Sequence, residues 1–299
     1  MNEVREPSPS TSRLTRRFFT GRLLAVRPLN GDLAFLDFSW PGPAPRGGQF
    51  FMVRPKRSAL LLGRPISAAL WNPAIRETPK NRRRLRGKSY YEVEFAITDT
   101  VRFLVARRGR GTAELLDLRT GDEAELTGPL GNHWADFLPD RGPMALISGG
   151  IGIAPLMAFA SELEDRPFDF YAGFKTASLD DSRFRPRGKD PSPACILTMG
   201  IKARTLVLAT EDGLEGNRGR IPDFLKPADY RAVFACGPEP MMRAVAASCK
   251  KEGVPCYLSL ERHMACGVGA CLGCTVGTAG GNRSVCADGP VFPAEDIYG

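Results

Sequence analysis

Four cysteines near the C-terminus constrain this chain more than any other feature. Cys266, Cys271 and Cys274 follow a C-x4-C-x2-C spacing, and Cys286 follows shortly after them. This is the plant-type ligand spacing of a [2Fe–2S] cluster, in which cysteine thiolates hold the irons. Three of the intervening residues are glycines, which let backbone N–H groups approach the cluster without Cβ clashes. The sequence therefore predicts a [2Fe–2S] cluster bound by these four residues.

Three other uses of the cysteines fit the pattern less well. Structural zinc sites are commonly built from paired C-x2-C hooks, and only one such pair is present among the four. Disulfides need an oxidising compartment. Buried inert thiols have no reason to be spaced so regularly among glycines. Zinc remains the main competing interpretation, and it would make the segment a structural module without redox chemistry.

The remaining cysteines indicate the compartment. The chain has 8 cysteines, and Cys195, Cys236, Cys249 and Cys256 show no spacing typical of a second metal site. Free thiols beside a cluster are typical of a reducing cytoplasm. We therefore expect a cytoplasmic protein.

Neither a membrane span nor export is expected. No apolar run approaches the roughly 18 residues that a membrane-spanning helix needs. Residues 15–19 resemble the start of a twin-arginine export signal, but Gly21 and Arg22 follow at once where an apolar region is required. This segment is better interpreted as a first strand.

The net charge of +8 is concentrated in the N-terminal tail and in a basic run at 76–88. That run contains no aromatic residue, and no nucleic-acid-binding motif accompanies it. We interpret both segments as solvated and expect no nucleic-acid partner, whereas an acidic protein partner stays open.

The first part of the chain predicts an antiparallel β-barrel. Residues 1–17 are polar and should be disordered, and residues 18–140 carry many short strand patterns separated by glycine and proline. The predicted strands are 22–27, 33–38, 49–53, 90–98 and 124–127, with a turn at Asn30-Gly31 and a short helix at 112–118. The basic run at 76–88 should then be a loop joining two strands.

The second part predicts a parallel-sheet α/β domain at 141–252, followed by a cluster module at 253–299. Apolar strand patterns alternate with helical ones here, which is typical of a parallel sheet. The predicted strands are 144–148, 168–172, 205–210 and 232–236, and the predicted helices are 156–163 and 241–250. The interval 176–200 is rich in Asp, Pro, Arg and Ser and should be a loop.

Two short motifs in the barrel segment are compatible with phosphate binding. Arg64-Pro65-Ile66-Ser67 could pair with a diphosphate through charge-assisted hydrogen bonds, although an ordinary turn reads the same way. Gly111 and Thr112 open a predicted helix, where backbone N–H groups face outward, although Thr112 could simply be a helix cap. Each motif alone is ambiguous.

Two further motifs lie at predicted strand ends of the α/β segment. Gly149, Gly150 and Gly152 form a turn between a strand and a helix, which is typical of a phosphate-binding corner although it departs from G-x-G-x-x-G. Cys236-Gly237 follows another apolar strand, at the sheet edge where ligands bind in such folds. A buried structural cysteine is the alternative there.

The order of these four motifs resembles the ferredoxin–NADP reductase superfamily over about residues 18 to 250. With the cluster segment and the Cys-Ala-Asp-Gly-Pro stretch at 286–290 added, nearly the whole chain resembles the electron transfer subunits of type B dihydroorotate dehydrogenases. The tail, the basic run and the 176–200 interval depart from that family, and His263 stands where Arg or Glu would be expected.

The resemblance implies two sets of cofactor contacts. The FAD contacts would be Arg64, Pro65, Ile66, Ser67, Gly111 and Thr112. The NAD contacts would be Gly149, Gly150, Gly152, Cys236 and Gly237. Lys175 could meet the 2′-phosphate of NADP, but we expect NAD because the resemblance implies it.

The resemblance also implies an electron conduit in pyrimidine biosynthesis. A separate FMN-containing catalytic subunit, in a heterotetramer with this chain, would oxidise dihydroorotate. Electrons would pass singly through the cluster to FAD and leave as a hydride to NAD⁺. Because the cofactors carry the chemistry, no catalytic residue is assigned, and the count of 2 histidines is no objection.

Two alternatives are retained. The same cofactors could serve a sulfide dehydrogenase or an NAD(P)H:ferredoxin oxidoreductase, which a different co-purifying partner would reveal. A zinc-containing scaffold with no enzymatic role would instead be colourless and free of flavin.

Overall fold

The computed structural model describes residues 17–85, 88–163, 165–179 and 192–299, and it leaves out the side chains of residues 17 and 72–98. Within these ranges a closed six-stranded antiparallel barrel precedes a seven-stranded α/β sheet and a two-stranded hairpin. The predicted fold class is thereby confirmed. The predicted disorder of the tail concerns residues outside the described ranges, apart from Arg17, where the first strand begins.

The barrel is built on large apolar side chains. Its strands are β1 (Arg17–Asn30), β2 (Leu33–Ser39), β3 (Phe50–Pro55), β4 (Arg64–Leu85), β5 (Lys88–Ala106) and β6 (Glu123–Leu130), closed in the order β1-β2-β5-β4-β3-β6. Trp40, Phe51 and Phe103 are buried together, with ring centroids 4.8 Å apart for the first two and 5.3 Å for the last two. Helix α1 (Arg110–Leu116) follows β5 and buries Leu115 in the same core.

The prediction of a loop at 76–88 is wrong for residues 76–85 and 88. Strand β4 continues to Leu85 and pairs antiparallel with β5, ending with Leu85 opposite Lys88. The alternating stretch at 90–98 offers a continuous edge of backbone N–H and C=O groups, and pairing with it satisfies the same groups of the basic run. Residues 86–87 lie outside the description.

The α/β sheet has the order β10-β9-β8-β7-β11-β12-β15. Its strands are β7 (Met144–Gly149), β8 (Phe168–Phe174), β9 (Thr205–Thr210), β10 (Asn217–Arg218), β11 (Ala232–Cys236), β12 (Cys256–Ser259) and β15 (Val291–Pro293). Every neighbouring pair is parallel except β12 and β15. Strands β7 and β11 are buried at every position, as expected for central strands of a parallel sheet.

Three helices accompany these strands in the described part of this segment. They are α2 (Ile153–Glu162), α3 (Pro193–Thr198) and α4 (Glu239–Glu252). Helix α3 lies inside the interval predicted to be a loop, so that prediction is wrong for 193–198. The Ser192 hydroxyl accepts a hydrogen bond from the Cys195 N–H at 3.1 Å, and Leu197 is fully buried, so a cap and an apolar contact stabilise this turn. Residues 180–191 lie outside the description.

The C-terminal segment is interwoven with the α/β sheet. Strands β12 and β15 complete the sheet, and between them lie the hairpin β13 (Thr275–Thr278) and β14 (Gly281–Ser284) and the short helix α5 (Val285–Asp288). Helix α6 (Ala294–Tyr298) follows β15. A boundary at 252/253 stays a prediction, since the sheet continues across it. In the ranges described above, no helix is long and apolar enough to cross a bilayer.

Candidate functional site

A cavity of about 570 Å³ lies where the barrel, the α/β sheet and the C-terminal segment meet. Its wall takes residues from all three parts of the chain. Among them are Pro65, Ile66, Ser67, Arg108, Thr112, Ile151, Pro155, Cys236, Glu261, Arg262, His263, Met264 and Pro290. This size is typical of a cofactor-binding cleft. The structure thus brings residues of all four sequence motifs to one place, together with the start of the cluster segment. The glycine turn after β7 contributes Ile151 to this wall, whereas its three glycines lie beside it.

The first motif lies at the start of β4. Pro65, Ile66 and Ser67 line the cavity, whereas Arg64 lies against α1. A Cβ atom on Gly111 would be 2.1 Å from the Arg64 Nε, so the glycine leaves the space that the guanidinium occupies. The guanidinium also donates to the Leu62 carbonyl at 3.1 Å. A fixed cation beside a helix N-terminus is a favourable place for a phosphate.

Thr112 caps the helix and also lies at the cavity, so its position is compatible with both predicted roles, a helix cap and a phosphate contact. Its hydroxyl accepts hydrogen bonds from the backbone N–H groups of Arg108 at 2.8 Å and Gly109 at 3.2 Å, and donates to the Gly109 carbonyl. The side chain therefore stabilises the start of α1. Thr112 also lines the cavity, so its predicted contact with a diphosphate stays a prediction.

The three glycines after β7 have different surroundings. Gly150 has a φ of +55°, and no atom lies within 4 Å of a Cβ placed on it, so this position is open to a ligand. A Cβ on Gly149 would lie 2.6 Å from the Met241 Sδ, and one on Gly152 would lie 2.3 Å from the Cys236 carbonyl oxygen. Gly149 and Gly152 thus permit close packing of the two turns.

Cys236 ends β11 at the cavity wall and is 2 % exposed. Desolvation raises the pKa of its thiol well above the ordinary value, the nearby charge of Glu261 raises it further, and a hydrogen bond with Ser259 opposes them. The group therefore stays a neutral thiol at physiological pH rather than a nucleophilic thiolate. Gly237 packs against Gly149, where a Cβ on Gly237 would be 2.9 Å from the Gly149 Cα.

Glu261 and Arg108 also line the cavity, and neither belongs to the four sequence motifs. Desolvation raises the pKa of Glu261, and Arg108, on the barrel side, opposes that shift. The sequence could have indicated Glu261, because it is a charged residue two positions after the apolar strand β12. Ligand sites lie at the carboxyl ends of parallel strands. No sequence pattern around Arg108 indicated that it would line a binding site.

The four C-terminal cysteines lie in two pairs. The Cys271 N–H donates to the Cys266 sulfur at 3.4 Å, and the Cys286 N–H donates to the Cys274 sulfur at 3.4 Å. We call Cys266 and Cys271 the outer pair, because Cys271 is exposed and Cys266 partly so. We call Cys274 and Cys286 the inner pair, because both are 2 % exposed. All four thiols are free.

Backbone N–H groups of the loop point at the sulfur atoms. Val268 donates to the Cys266 sulfur at 3.4 Å, Gly273 to the Cys271 sulfur at 3.5 Å, and Gly269 to the Cys286 sulfur at 3.1 Å. Positive φ angles of 68° at Gly267 and 78° at Gly269 give the loop the curvature that this arrangement requires. Such donors stabilise negative charge on sulfur, as an iron–sulfur site needs.

The pKa shifts of Cys266 and Cys286, one thiol from each pair, differ in direction. Desolvation raises the pKa of Cys266, but hydrogen bonds from the backbone of Val268 and Cys271 outweigh it and bring that pKa to about 6. Desolvation and the neighbouring Cys274 raise the pKa of Cys286 to about 12, against the N–H of Gly269. The Cys286 sulfur would therefore need bound iron to become a thiolate at neutral pH.

The donor set fits a two-iron cluster. Among the described residues, no three His, Cys, Asp or Glu side chains converge on one point as a single metal ion requires. A [2Fe–2S] cluster instead shares four cysteines between two irons. The observed arrangement, two adjacent pairs of free thiols with N–H donors around them, fits such a cluster. It fits a zinc ion less well, because zinc needs four ligands that converge on one point.

Comparisons with known proteins agree with this geometry. Residues 261–298 match the family model of the iron–sulfur cluster binding domain of dihydroorotate dehydrogenase B. The chain is 36 % identical over 252 residues to the electron transfer subunit of dihydroorotate dehydrogenase B (NAD(+)) of Clostridium acetobutylicum, covering 84 % of this chain and 86 % of that protein. The corresponding subunit of Caldanaerobacter subterraneus subsp. tengcongensis is 28 % identical over 92 % of this chain and 96 % of its own length.

Solved structures agree on the fold. The structure of an NADH-dependent reduced ferredoxin-NADP oxidoreductase has a TM-score of 0.70 at 22 % identity, covering 93 % of this chain and 89 % of that one. A ferredoxin NADP+ reductase from Neisseria gonorrhoeae, with bound FAD and NADP, has a TM-score of 0.56 at 16 % identity, covering 83 % of this chain and 95 % of that one. At these identities the likeness concerns the fold alone.

Proposed function

This chain belongs to the family of dihydroorotate dehydrogenase B electron transfer subunits, and from that premise we propose that it carries electrons between a separate dihydroorotate dehydrogenase subunit and NAD. One observation carries the proposal beyond the family name. The cysteine set and the cavity share two short segments of chain, 261–266 and 286–290, each with a cluster cysteine at one end and a cavity residue at the other. A cluster and a flavin bound at these places would be close neighbours.

The protein supplies places for the cofactors. When bound, FAD exchanges a hydride with NAD and single electrons with a [2Fe–2S] cluster, which is chemistry that no side chain supplies. Arg64 and the start of α1 would hold the flavin diphosphate, because they bring a guanidinium beside the first turn of a helix, where backbone N–H groups face outward. Ile66 and Ser67 would lie against the flavin ring, since both line the cavity.

The α/β side of the cavity would receive the nucleotide. Gly150 is open to a ligand, and the Cys236 thiol stays neutral, so neither repels the negative charge of a nucleotide. Gly149, Gly152 and Gly237 bring the ends of β7 and β11 together and so shape the floor on which the nicotinamide would rest. We expect NAD rather than NADP, and Lys175, which is exposed, would play no part in selection.

The partner would be an FMN-containing catalytic subunit, in a heterotetramer with this chain. The outer pair forms the solvent-exposed side of the cluster site. The neighbouring Leu272 side chain is 65 % exposed. An apolar side chain held outward beside a cluster ligand is a reasonable contact for such a partner. All eight cysteines are free, which agrees with the reducing cytoplasm that we propose as the location.

Anaerobic co-expression with the dihydroorotate dehydrogenase subunit of the same genome tests the proposal. We expect a complex with FAD and two irons and two sulfides per copy of this chain, FMN on the partner, and dihydroorotate-dependent reduction of NAD with kcat/KM far above that for NADP. Recovery of a ferredoxin or a sulfide dehydrogenase instead would favour the alternative partners. A colourless, zinc-containing chain without flavin would overturn the proposal altogether.

A further inference from the structure

A turn of the barrel binds the segment that follows the fourth cysteine. The Asn132 side-chain amide donates to the carbonyl oxygens of Asp288 at 3.2 Å and Val291 at 2.8 Å, and its Oδ1 accepts from the Val291 N–H at 2.9 Å. The Asn132 backbone N–H also donates to the Gly289 carbonyl at 2.7 Å. One residue thus makes four hydrogen bonds to a segment more than 150 positions away in the chain.

The turn that carries Asn132 is itself held tightly. The buried Gln49 side chain donates to the Gly131 carbonyl at 2.9 Å. Gly131 has a φ of +78°, and a Cβ on it would lie 2.6 Å from the Gly289 carbonyl oxygen, so the two chain segments are in direct contact. Asn132 therefore lies on a turn that Gln49 anchors to the barrel and that packs directly against the segment it binds.

The bound segment connects the two proposed cofactor sites. Cys286, at its beginning, belongs to the inner pair and accepts the Gly269 N–H. Pro290, near its end, lines the cavity. Between them, the Asp288 carboxylate accepts the Ser284 N–H at 2.6 Å and so stabilises the turn that presents Cys286.

We propose that Asn132 is a positioning residue that fixes the Cys286–Pro290 segment, and with it the inner side of the cluster, against the flavin cavity. The inference rests on the proposed function, because it concerns a cluster and a flavin bound to this chain. The potential and lifetime of an iron–sulfur cluster depend on hydrogen bonding and solvent exposure around its sulfurs. Loss of groups that orient metal ligands costs roughly 10- to 100-fold in metal affinity or activity.

Two variants and a matched control test the inference in the full chain. Asn132→Ala removes the side-chain bonds, and Asn132→Asp keeps the shape but replaces the amide donor with a carboxylate facing two carbonyl oxygens. Asn30→Ala is the control. Asn30 is also a barrel asparagine whose amide donates to the α/β part, to the Ser178 carbonyl at 3.0 Å, but that segment contains no cluster ligand.

The readouts follow the cluster separately from the flavin. We expect both Asn132 variants to lose iron to a chelator about 10-fold faster than the wild type. We also expect altered electron paramagnetic resonance g-values and a shifted cluster reduction potential, with FAD content and NADH-dependent dye reduction retained. Asn30→Ala should match the wild type in every cluster measurement.

Wild-type cluster lifetime, g-values and potential in both Asn132 variants would overturn the inference, as would equal cluster loss in Asn30→Ala. If Asn132→Ala does not fold, the nearly isosteric Asn132→Asp decides alone. A wild-type chain with no [2Fe–2S] cluster would instead refute the proposed function, so the two failures are distinguishable.

Discussion

The outer and inner cysteine pairs offer the same four thiols to a cluster but are built in different ways. The outer pair lies on one loop, and short-range N–H groups of that loop surround its sulfurs. The inner pair joins that loop to α5, and its sulfurs are almost fully enclosed by the core around Val276 and Val285. A local loop thus makes one half of the site, and tertiary packing makes the other.

This difference separates two tasks that a cluster site must perform. The outer half is accessible to solvent, so it offers a surface at which a protein partner could exchange electrons with a bound cluster. The inner half is apolar and is fastened to the barrel through Asn132, so it fixes the distance to the cavity. The two halves meet at Gly269, a residue of the outer loop whose N–H donates to the inner sulfur of Cys286.

The largest expected effect comes from removing one thiol of each pair. Cys286→Ser should abolish the cluster, because a serine hydroxyl at this enclosed position keeps its proton and is a poor ligand for iron. Cys271→Ser should retain part of the cluster with a changed spectrum, because its position is exposed and solvent can adjust around an oxygen ligand. Iron, sulfide and FAD per chain, with the visible spectrum, are the measurements.

The difference in iron content between the two serine variants shows whether the outer and inner pairs differ in their contribution to cluster retention. Equal and complete loss of iron in both would mean that the burial difference has no bearing on cluster retention. Cys195→Ser, which changes a cysteine outside the cluster site, should keep the full iron content and serves as the control.

A second, smaller contrast is expected in the cluster-free chain under reducing conditions. The pKa of Cys266 is lowered to about 6, so its thiolate population, and its alkylation by iodoacetamide, should rise between about pH 5 and 7 and then level off. The pKa of Cys286 is raised to about 12, so this thiol should stay protonated and nearly unlabelled throughout that range. Mass spectrometry of the labelled peptides measures both sites in one sample.

The difference in labelling rate between Cys266 and Cys286 decides whether the two thiols have different surroundings. A folded chain in which Cys286 is labelled as fast as Cys266 at pH 7 would show that the inner thiol is neither enclosed nor raised in pKa. Labelling in denaturant, where both thiols should react at the same rate near pH 8.5, is the matched control.

The sequence predicted the cysteines of both pairs, but it did not predict the long-range contact that holds the segment after Cys286. The spacing of Cys266, Cys271 and Cys274 and the glycines between them are local, and the structure places them on one loop as such a pattern requires. The segment that follows Cys286 contacts Asn132 through Val291, and no pattern of neighbouring residues indicates that contact. Long-range hydrogen bonds of this kind are set by the packing of whole elements.

The same distinction explains the errors in the fold. Apolar periodicity predicted the barrel strands and the central strands of the sheet, since burial determines both. It failed for residues 76–85 of the basic run, where backbone pairing with β5 makes a strand although the sequence shows no apolar alternation. It also missed α3, whose six residues are too few to show a helical period.

The smallest expected effect would come from the residue that joins the two halves. Gly269→Ala places a side chain at a φ of +78°, where its Cβ would lie 2.9 Å from that of Ala287. The backbone strain costs about 1–2 kcal/mol and should tilt the N–H away from the Cys286 sulfur. The cluster should still form, because all four thiols remain, but its reduction potential should shift and its loss to a chelator should quicken several-fold.

Gly280→Ala is the control, since the nearest atom to its added Cβ is 3.9 Å away. If both variants behave alike, the Gly269 N–H does not couple the outer loop to the inner sulfur, and the two pairs act as independent halves.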